Sequence, residues 1–150
     1  MIELRCPTEA DTRVSARKLA ATLRPGDVIV LSGSLGAGKT LFVSGLATGL
    51  GIEETVVSPS FVLVRQYESG FLPLVHVDVY RLGSLNEFDD LDVFELASEG
   101  VLVIEWGDAI ESTLPDEYLK IEFAVDDDEV RTLTVVGTGS WEDRDLEGLL

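Results

Sequence analysis

Eight consecutive residues carry the most specific chemical signal in the sequence: Gly33-Ser34-Leu35-Gly36-Ala37-Gly38-Lys39-Thr40. The spacing Gly-x4-Gly-Lys-Thr is that of a complete phosphate-binding loop. Glycines let the backbone take positive φ, and their missing side chains let a phosphate reach the amides. Successive N–H groups then form an anion nest at a helix N-terminus, where the helix dipole adds partial positive charge. The Lys39 ammonium is expected to pair with β- and γ-phosphates, and the Thr40 hydroxyl to ligate Mg²⁺. The residues expected to line the phosphates are Leu35, Gly36, Ala37, Gly38, Lys39 and Thr40.

Such a loop needs a strand before it and a helix after it, and the flanking sequence supplies both. Val28-Ile29-Val30-Leu31 is a continuous apolar run of the kind that suits a strand covered on both faces. Phe42, Val43, Leu46, Ala47 and Leu50 recur at helical spacing, and Gly51 is a stop signal. Upstream, Ile2 to Cys6 alternates like a half-buried strand. Thr8 with Asp11 resembles a capping box opening a helix to about Leu23, with Ala16, Leu19, Ala20 and Leu23 as its buried stripe. Arg24 to Asp27 reads as a turn. Downstream, Phe61–Tyr67 and Leu72–Tyr80 read as strands joined near Ser69-Gly70. Ser84 is placed to cap a short acidic helix, and Val93 to Ala97 suggests another helical turn or two. Val101 to Ile104 is a second buried run ending at Glu105, and Tyr118–Val125 with Val130–Val136 reads as a terminal hairpin. The expected fold class is α/β: a three-layer P-loop NTPase-type sandwich with a central mixed sheet and a terminal antiparallel hairpin. Residues 1–136 form the expected domain, and 137–150 read as a loose acidic tail.

The bulk composition narrows the class. The chain has 150 residues, 45% hydrophobic and 26% charged, which suits one globular domain. Its net charge of −17 repels nucleic-acid phosphates, so direct binding to RNA or DNA is not expected. Cys6 is the only cysteine, so no internal disulfide is possible. The N-terminus lacks a signal peptide's apolar core, and no apolar run reaches membrane-spanning length. A soluble, cytoplasmic protein, monomeric when alone, is the expectation.

Several protein classes share the loop. A GTPase would carry an Asn-Lys-x-Asp motif, which this sequence lacks. A small-molecule kinase usually needs an arginine-rich lid, yet the basic residues after Lys39 are only Arg65, Arg81, Lys120, Arg131 and Arg144, without a cluster. A helicase needs more chain and more positive charge. A minimal ATPase or nucleotide switch remains.

Four ordered blocks then carry a resemblance to a known family. They are Gly33 to Thr40, Ser58-Pro59-Ser60-Phe61, His76-Val77-Asp78-Val79-Tyr80-Arg81-Leu82, and Glu105-Trp106. Together they resemble the TsaE family (also called YjeE or YdiB), small bacterial ATPases of threonylcarbamoyladenosine synthesis at position 37 of certain tRNAs. The resemblance covers residues 8 to about 136. It implies ATP and Mg²⁺ as cofactors, and partners of the TsaD transferase and TsaB type. It also implies catalytic roles for Lys39, Asp78 and Glu105, with Thr40 and Glu105 as Mg²⁺ ligands. Nucleotide contacts are implied at Glu9 and Arg131, and a switch-like segment at Ser58 to Phe61.

Each of these residues also has a plainer reading. Ser58 to Phe61 is what a Pro-containing lead-in to a strand looks like; Asp78 and Glu105 are what strand-end surface acids look like. Arg131 reads equally as a solvated strand residue. His76 alternates with Asp78 and shares its face, but a lone histidine is more often packed or solvent-facing. Tyr80 and Arg81 read as support for their segment or a partner contact. Trp106 reads either as a shield over the site or as core beneath it. The chain departs from the family loop at Ser34 and Leu41, where an acid and a second hydroxyl are common, and Ser60 stands where threonine is usual. Two other functions stay open: a nucleotide-gated docking module with negligible turnover, and a small-molecule kinase.

Overall fold

The computed structural model describes residues 1–34, 36–57, 64–79, 92–105 and 114–149. Among them, seven strands form one sheet: β1 (Ile2–Cys6), β2 (Val28–Gly33), β3 (Val64–Tyr67), β4 (Leu74–Asp78), β5 (Val101–Glu105), β6 (Leu119–Val125) and β7 (Arg131–Gly137). Their order is β1-β7-β6-β2-β5-β4-β3. β6, β2, β5 and β4 are mutually parallel, while β1, β7 and β3 add antiparallel edges. The sheet is therefore mixed, with a parallel centre. Every residue of β4 and β5 is buried, as are the first five of β2, which accounts for their apolar runs.

Alternation along each strand divides the core in two. Ile29, Leu31, Val101 and Val103 join Leu19, Phe42 and Leu46 in the larger cluster. Val28, Val30, Leu102 and Ile104 join Val75, Val77, Val93 and Ala97 in the smaller one. The larger cluster is covered by α1 (Glu9–Ala20) and α2 (Lys39–Gly49), the smaller by the short α3 (Val93–Leu96). Phe42 of α2 meets Phe123 of β6 edge to face, with ring centroids 5.6 Å apart.

The Thr8 capping box forms as its sequence implies: the Asp11 amide donates to Thr8 Oγ1 at 3.2 Å and the Thr8 amide to Asp11 Oδ2 at 3.0 Å. The helix stops at Ala20, short of Leu23, and turns toward β2. α1 and α2 touch closely because small residues meet there. A Cβ added at Gly45 would lie 2.9 Å from the Ala16 Cβ, and one at Gly49 2.6 Å from the Ala20 Cβ. β3 and β4 pair as an antiparallel hairpin across residues 68–73, and β6 and β7 form the terminal hairpin. Asp126 closes that second turn by accepting from the Asp128 and Val130 amides. The helix expected after Ser84 lies outside the described residues. No helix among the described residues is long and apolar enough to cross a membrane.

The expectation of a loose tail from residue 137 is corrected. Two short 3₁₀ turns, Gly139–Asp143 and Glu147–Leu149, pack onto the domain. Trp141, Leu146 and Leu149 are buried in the larger core. The Arg144 guanidinium lies 3.8 Å from the Trp141 ring centroid and forms two bonds to Asp27, of 2.7 and 2.6 Å. Three apolar residues spaced among acids show no helical or strand period, so their burial is invisible to pattern reading. Replacing Arg144 by alanine would leave Asp27 as a buried charge stripped of its strongest partner. Arg144→Ala is expected to lower stability by about 3 kcal/mol in urea unfolding, whereas a loose tail would leave the midpoint unchanged.

Candidate functional site

β2 delivers the chain to the loop, and the loop turns at once into α2. Gly38 is the N-cap of α2 with φ 103° and no side-chain cap, and the first turn of α2 has no acidic residue. A helix N-terminus in this state offers partial positive charge to an incoming anion. Gly33 must lack a side chain for a second reason: its Cβ would lie 2.6 Å from the Phe123 carbonyl oxygen.

Lys39 is 5% exposed, and its ammonium folds back onto the loop. Its Nζ donates to the carbonyls of Gly33 at 2.8 Å and Ser34 at 3.0 Å. Burial pushes the ammonium's pKa below the ordinary lysine value, while the carboxylates of Glu105 and Asp78 pull it back up. Desolvation is the largest of these effects.

Those carboxylates arrive from two strands adjacent in the sheet but distant in sequence. Asp78 ends β4 and Glu105 ends β5, and the register pairs Asp78 with Glu105 and Glu105 with Leu31 of β2. Both acids therefore sit at the carboxyl ends of the parallel strands, beside the loop, where open α/β sheets bind ligands. Both are buried. His76, fully buried two residues before Asp78, joins its Nε2 to Glu105 Oε2 at 2.6 Å. Among the described residues its Nδ1 has no hydrogen-bond partner.

Arg131, at the start of β7, reaches across to the loop, where its Nε donates to the Ala37 carbonyl at 3.1 Å. Glu9 opens α1 and is exposed. Arg131, Glu9 and Gly36 share the lining of a cavity of about 420 Å³ with Pro7, Thr8, Val125, Asp128 and Glu129. The structure thus brings Lys39, Asp78 and Glu105 together on one side of the loop, and Glu9, Gly36 and Arg131 on the other. Ala37 is buried between, and Thr40 is half-buried in the first turn of α2. Leu35, the segment Ser58 to Phe61, Tyr80, Arg81 and Trp106 lie outside the described residues.

The contact that sequence reading missed is His76 to Glu105. Alternation already put His76 on the face of Asp78, but no local pattern says which strand lies beside β4. The arrangement can hold an anion at the helix N-terminus against a buried ammonium. Beside it stand two carboxylates and a hydroxyl, all hard oxygen donors.

A model of the family described as "Threonylcarbamoyl adenosine biosynthesis protein TsaE" matches residues 6–133. The chain belongs to the TsaE family. It is 46% identical to the "tRNA threonylcarbamoyladenosine biosynthesis protein TsaE" of Streptomyces coelicolor, covering 91% of this chain and 98% of that one. The Bacillus subtilis TsaE is 45% identical over 85% of this chain and 81% of its own. The Treponema pallidum TsaE is 44% identical over 88% and 99%. A crystal structure of Bacillus subtilis YdiB superposes with a TM-score of 0.82 at 37% identity, covering 99% of this chain and 93% of that one. Membership of the TsaE family ties the chain to threonylcarbamoyladenosine biosynthesis and agrees with the mixed seven-stranded sheet found here.

The loop geometry has a consequence for stability. A Cβ at Gly38 would have to adopt φ 103° and would lie 2.8 Å from Arg131 Nε. Gly38→Ala is expected to cost about 1–2 kcal/mol from backbone strain alone, read as a lowered urea midpoint with an unchanged slope.

Proposed function

We propose that the chain binds ATP with Mg²⁺ on the loop Gly33 to Thr40 and hydrolyses it, in a role required for threonylcarbamoyladenosine modification at position 37 of tRNAs reading codons that begin with adenine. The observation that carries this reading is the buried Lys39 ammonium at the uncapped N-terminus of α2, beside the strand-end carboxylates of Asp78 and Glu105. A triphosphate would lay its negative charge against that ammonium and the helix N-terminus.

Thr40 and Glu105 would hold the Mg²⁺. The donor set fits: two oxygens from protein, with waters and phosphate oxygens completing the shell, as this cation prefers. Among the described residues there is no group of three or more acidic, histidine or cysteine side chains that would suit an all-protein metal cage. When bound, Mg²⁺ would neutralise charge developing on the transferred phosphoryl group. Lys39 would hold the β- and γ-phosphates, and Asp78 would orient the attacking water or a water of the metal. Glu9 and Arg131 would contact the nucleotide from the cavity beside Gly36, the arginine by pairing with phosphate or stacking on the base.

In this reading the partners are a TsaD-type transferase and a TsaB-type subunit. The net charge of −17 suits a division of labour in which this chain docks protein and its partners hold tRNA. ATP hydrolysis would then drive conformational cycling of the assembly. Lys39→Ala removes a charged hydrogen-bond donor and is expected to weaken ATP binding about 10- to 100-fold, read by nucleotide titration. The same variant is expected to abolish tRNA modification in a reconstitution with both partners. Hydrolysis that neither rises with the partners nor falls in this variant would overturn the reading.

A further inference from the structure

His76 is a polar side chain in a strand whose every residue is buried. Its neighbours Leu74, Val75 and Val77 are all at or near zero exposure, and so is His76 itself. A buried imidazole is costly unless its nitrogens are partnered. Among the described residues only Nε2 is, at 2.6 Å from Glu105 Oε2, while Nδ1 has no partner there. Packing alone would be served as well by an apolar residue. The polarity of His76 is spent on one contact, the Glu105 carboxylate.

Glu105 needs that contact because of what lies beside it. Its side chain has three rotatable bonds at the end of a strand, and the Lys39 ammonium attracts it. Left untethered, the carboxylate is drawn into an ion pair with Lys39. That pair would withdraw the cation from phosphate and the carboxylate from metal. A bond from β4 to Oε2 holds Glu105 on its own side and leaves Oε1 outside that bond. The geometry points to His76 as a positioning residue that fixes Glu105 for Mg²⁺ bound with the nucleotide. This assignment rests on the metal–nucleotide reading given above. It goes beyond that reading by giving a role to a side chain that touches neither nucleotide nor metal. Partners of ligating side chains commonly govern metal affinity as strongly as this, by about 10- to 100-fold.

Two near-isosteric variants separate positioning from mere filling. In His76→Gln the amide nitrogen falls near the place of Nε2 and can still donate to Glu105. In His76→Asn it falls near Nδ1 and cannot. The measurement is binding of a fluorescent ATP analogue to the intact chain, first in EDTA and then across a Mg²⁺ titration, with thermal unfolding to show that each variant is folded. The asparagine variant is expected to need about tenfold more Mg²⁺ for the same gain in affinity, and to bind more weakly than the wild type in EDTA as well, because the released carboxylate competes for Lys39. The glutamine variant is expected to follow the wild type. In a Glu105→Gln background, His76→Asn is expected to add nothing further. Identical Mg²⁺ curves for the asparagine and glutamine variants would overturn the assignment, as would a full His76→Asn effect in the Glu105→Gln background. A wild-type chain whose nucleotide affinity ignores Mg²⁺ would instead bring down the metal–nucleotide reading itself, and the role of His76 with it.

Discussion

A buried ammonium group is the constraint on which the rest of the site depends. Lys39 sits at the N-terminus of α2 with almost no access to water, so its charge must be met by oxygens of the protein. The loop provides two carbonyls, and the carboxylates of Glu105 and Asp78 attract the ammonium from the sheet. Each neighbouring feature follows from the same electrostatic situation: an uncapped helix end, no acid in its first turn, and Glu105 tied back toward β4 instead of released toward the lysine.

The sheet exists around this point. Parallel pairing of β2, β5 and β4 sets Leu31, Glu105 and Asp78 side by side at the ends of three buried strands. A slip of one residue in either register would send the carboxylates to the opposite face, into the smaller core cluster. The apolar residues before them prevent it, because Val101, Val103 and Leu74 belong to the larger cluster, whereas Leu102, Ile104, Val75 and Val77 belong to the smaller. Core packing thus sets the aim of Asp78 and Glu105. The antiparallel edges contribute differently: β7 carries Arg131 to the Ala37 carbonyl, closing the loop from the side opposite the carboxylates.

The helices are held close by residues that seem featureless in sequence. Gly45 and Gly49 face Ala16 and Ala20, and the absence of side chains lets α1 lie against α2. This seats the N-terminus of α1, with Glu9, beside the loop at the N-terminus of α2. The far end of the domain is sealed by Trp141, Arg144 and Asp27, where a cation covers an aromatic face and pairs with a buried acid. Family membership adds a pathway to this frame, and the frame adds a physical reason for the residues of the pathway's loop.

Much of the protein is legible from local pattern. The loop Gly33 to Thr40 is legible because phosphate binding would demand glycines, a lysine and a hydroxyl at fixed spacing within eight residues. The buried strands are legible because coverage on both faces requires unbroken apolar runs, as in Val28 to Leu31 and Val101 to Ile104. The capping box of α1 and the turn at Asp126 are legible because each bond spans two to four residues. Other features were decided only by tertiary structure. His76 meets Glu105 across 29 positions, Arg131 meets Ala37 across 94, and Arg144 meets Asp27 across 117. Nothing local encodes such pairs, since they depend on which strand neighbours which and on where the chain folds back. For the same reason the last residues read as a loose tail although they are core: the partners that bury Trp141, Leu146 and Leu149 come from distant segments of the chain.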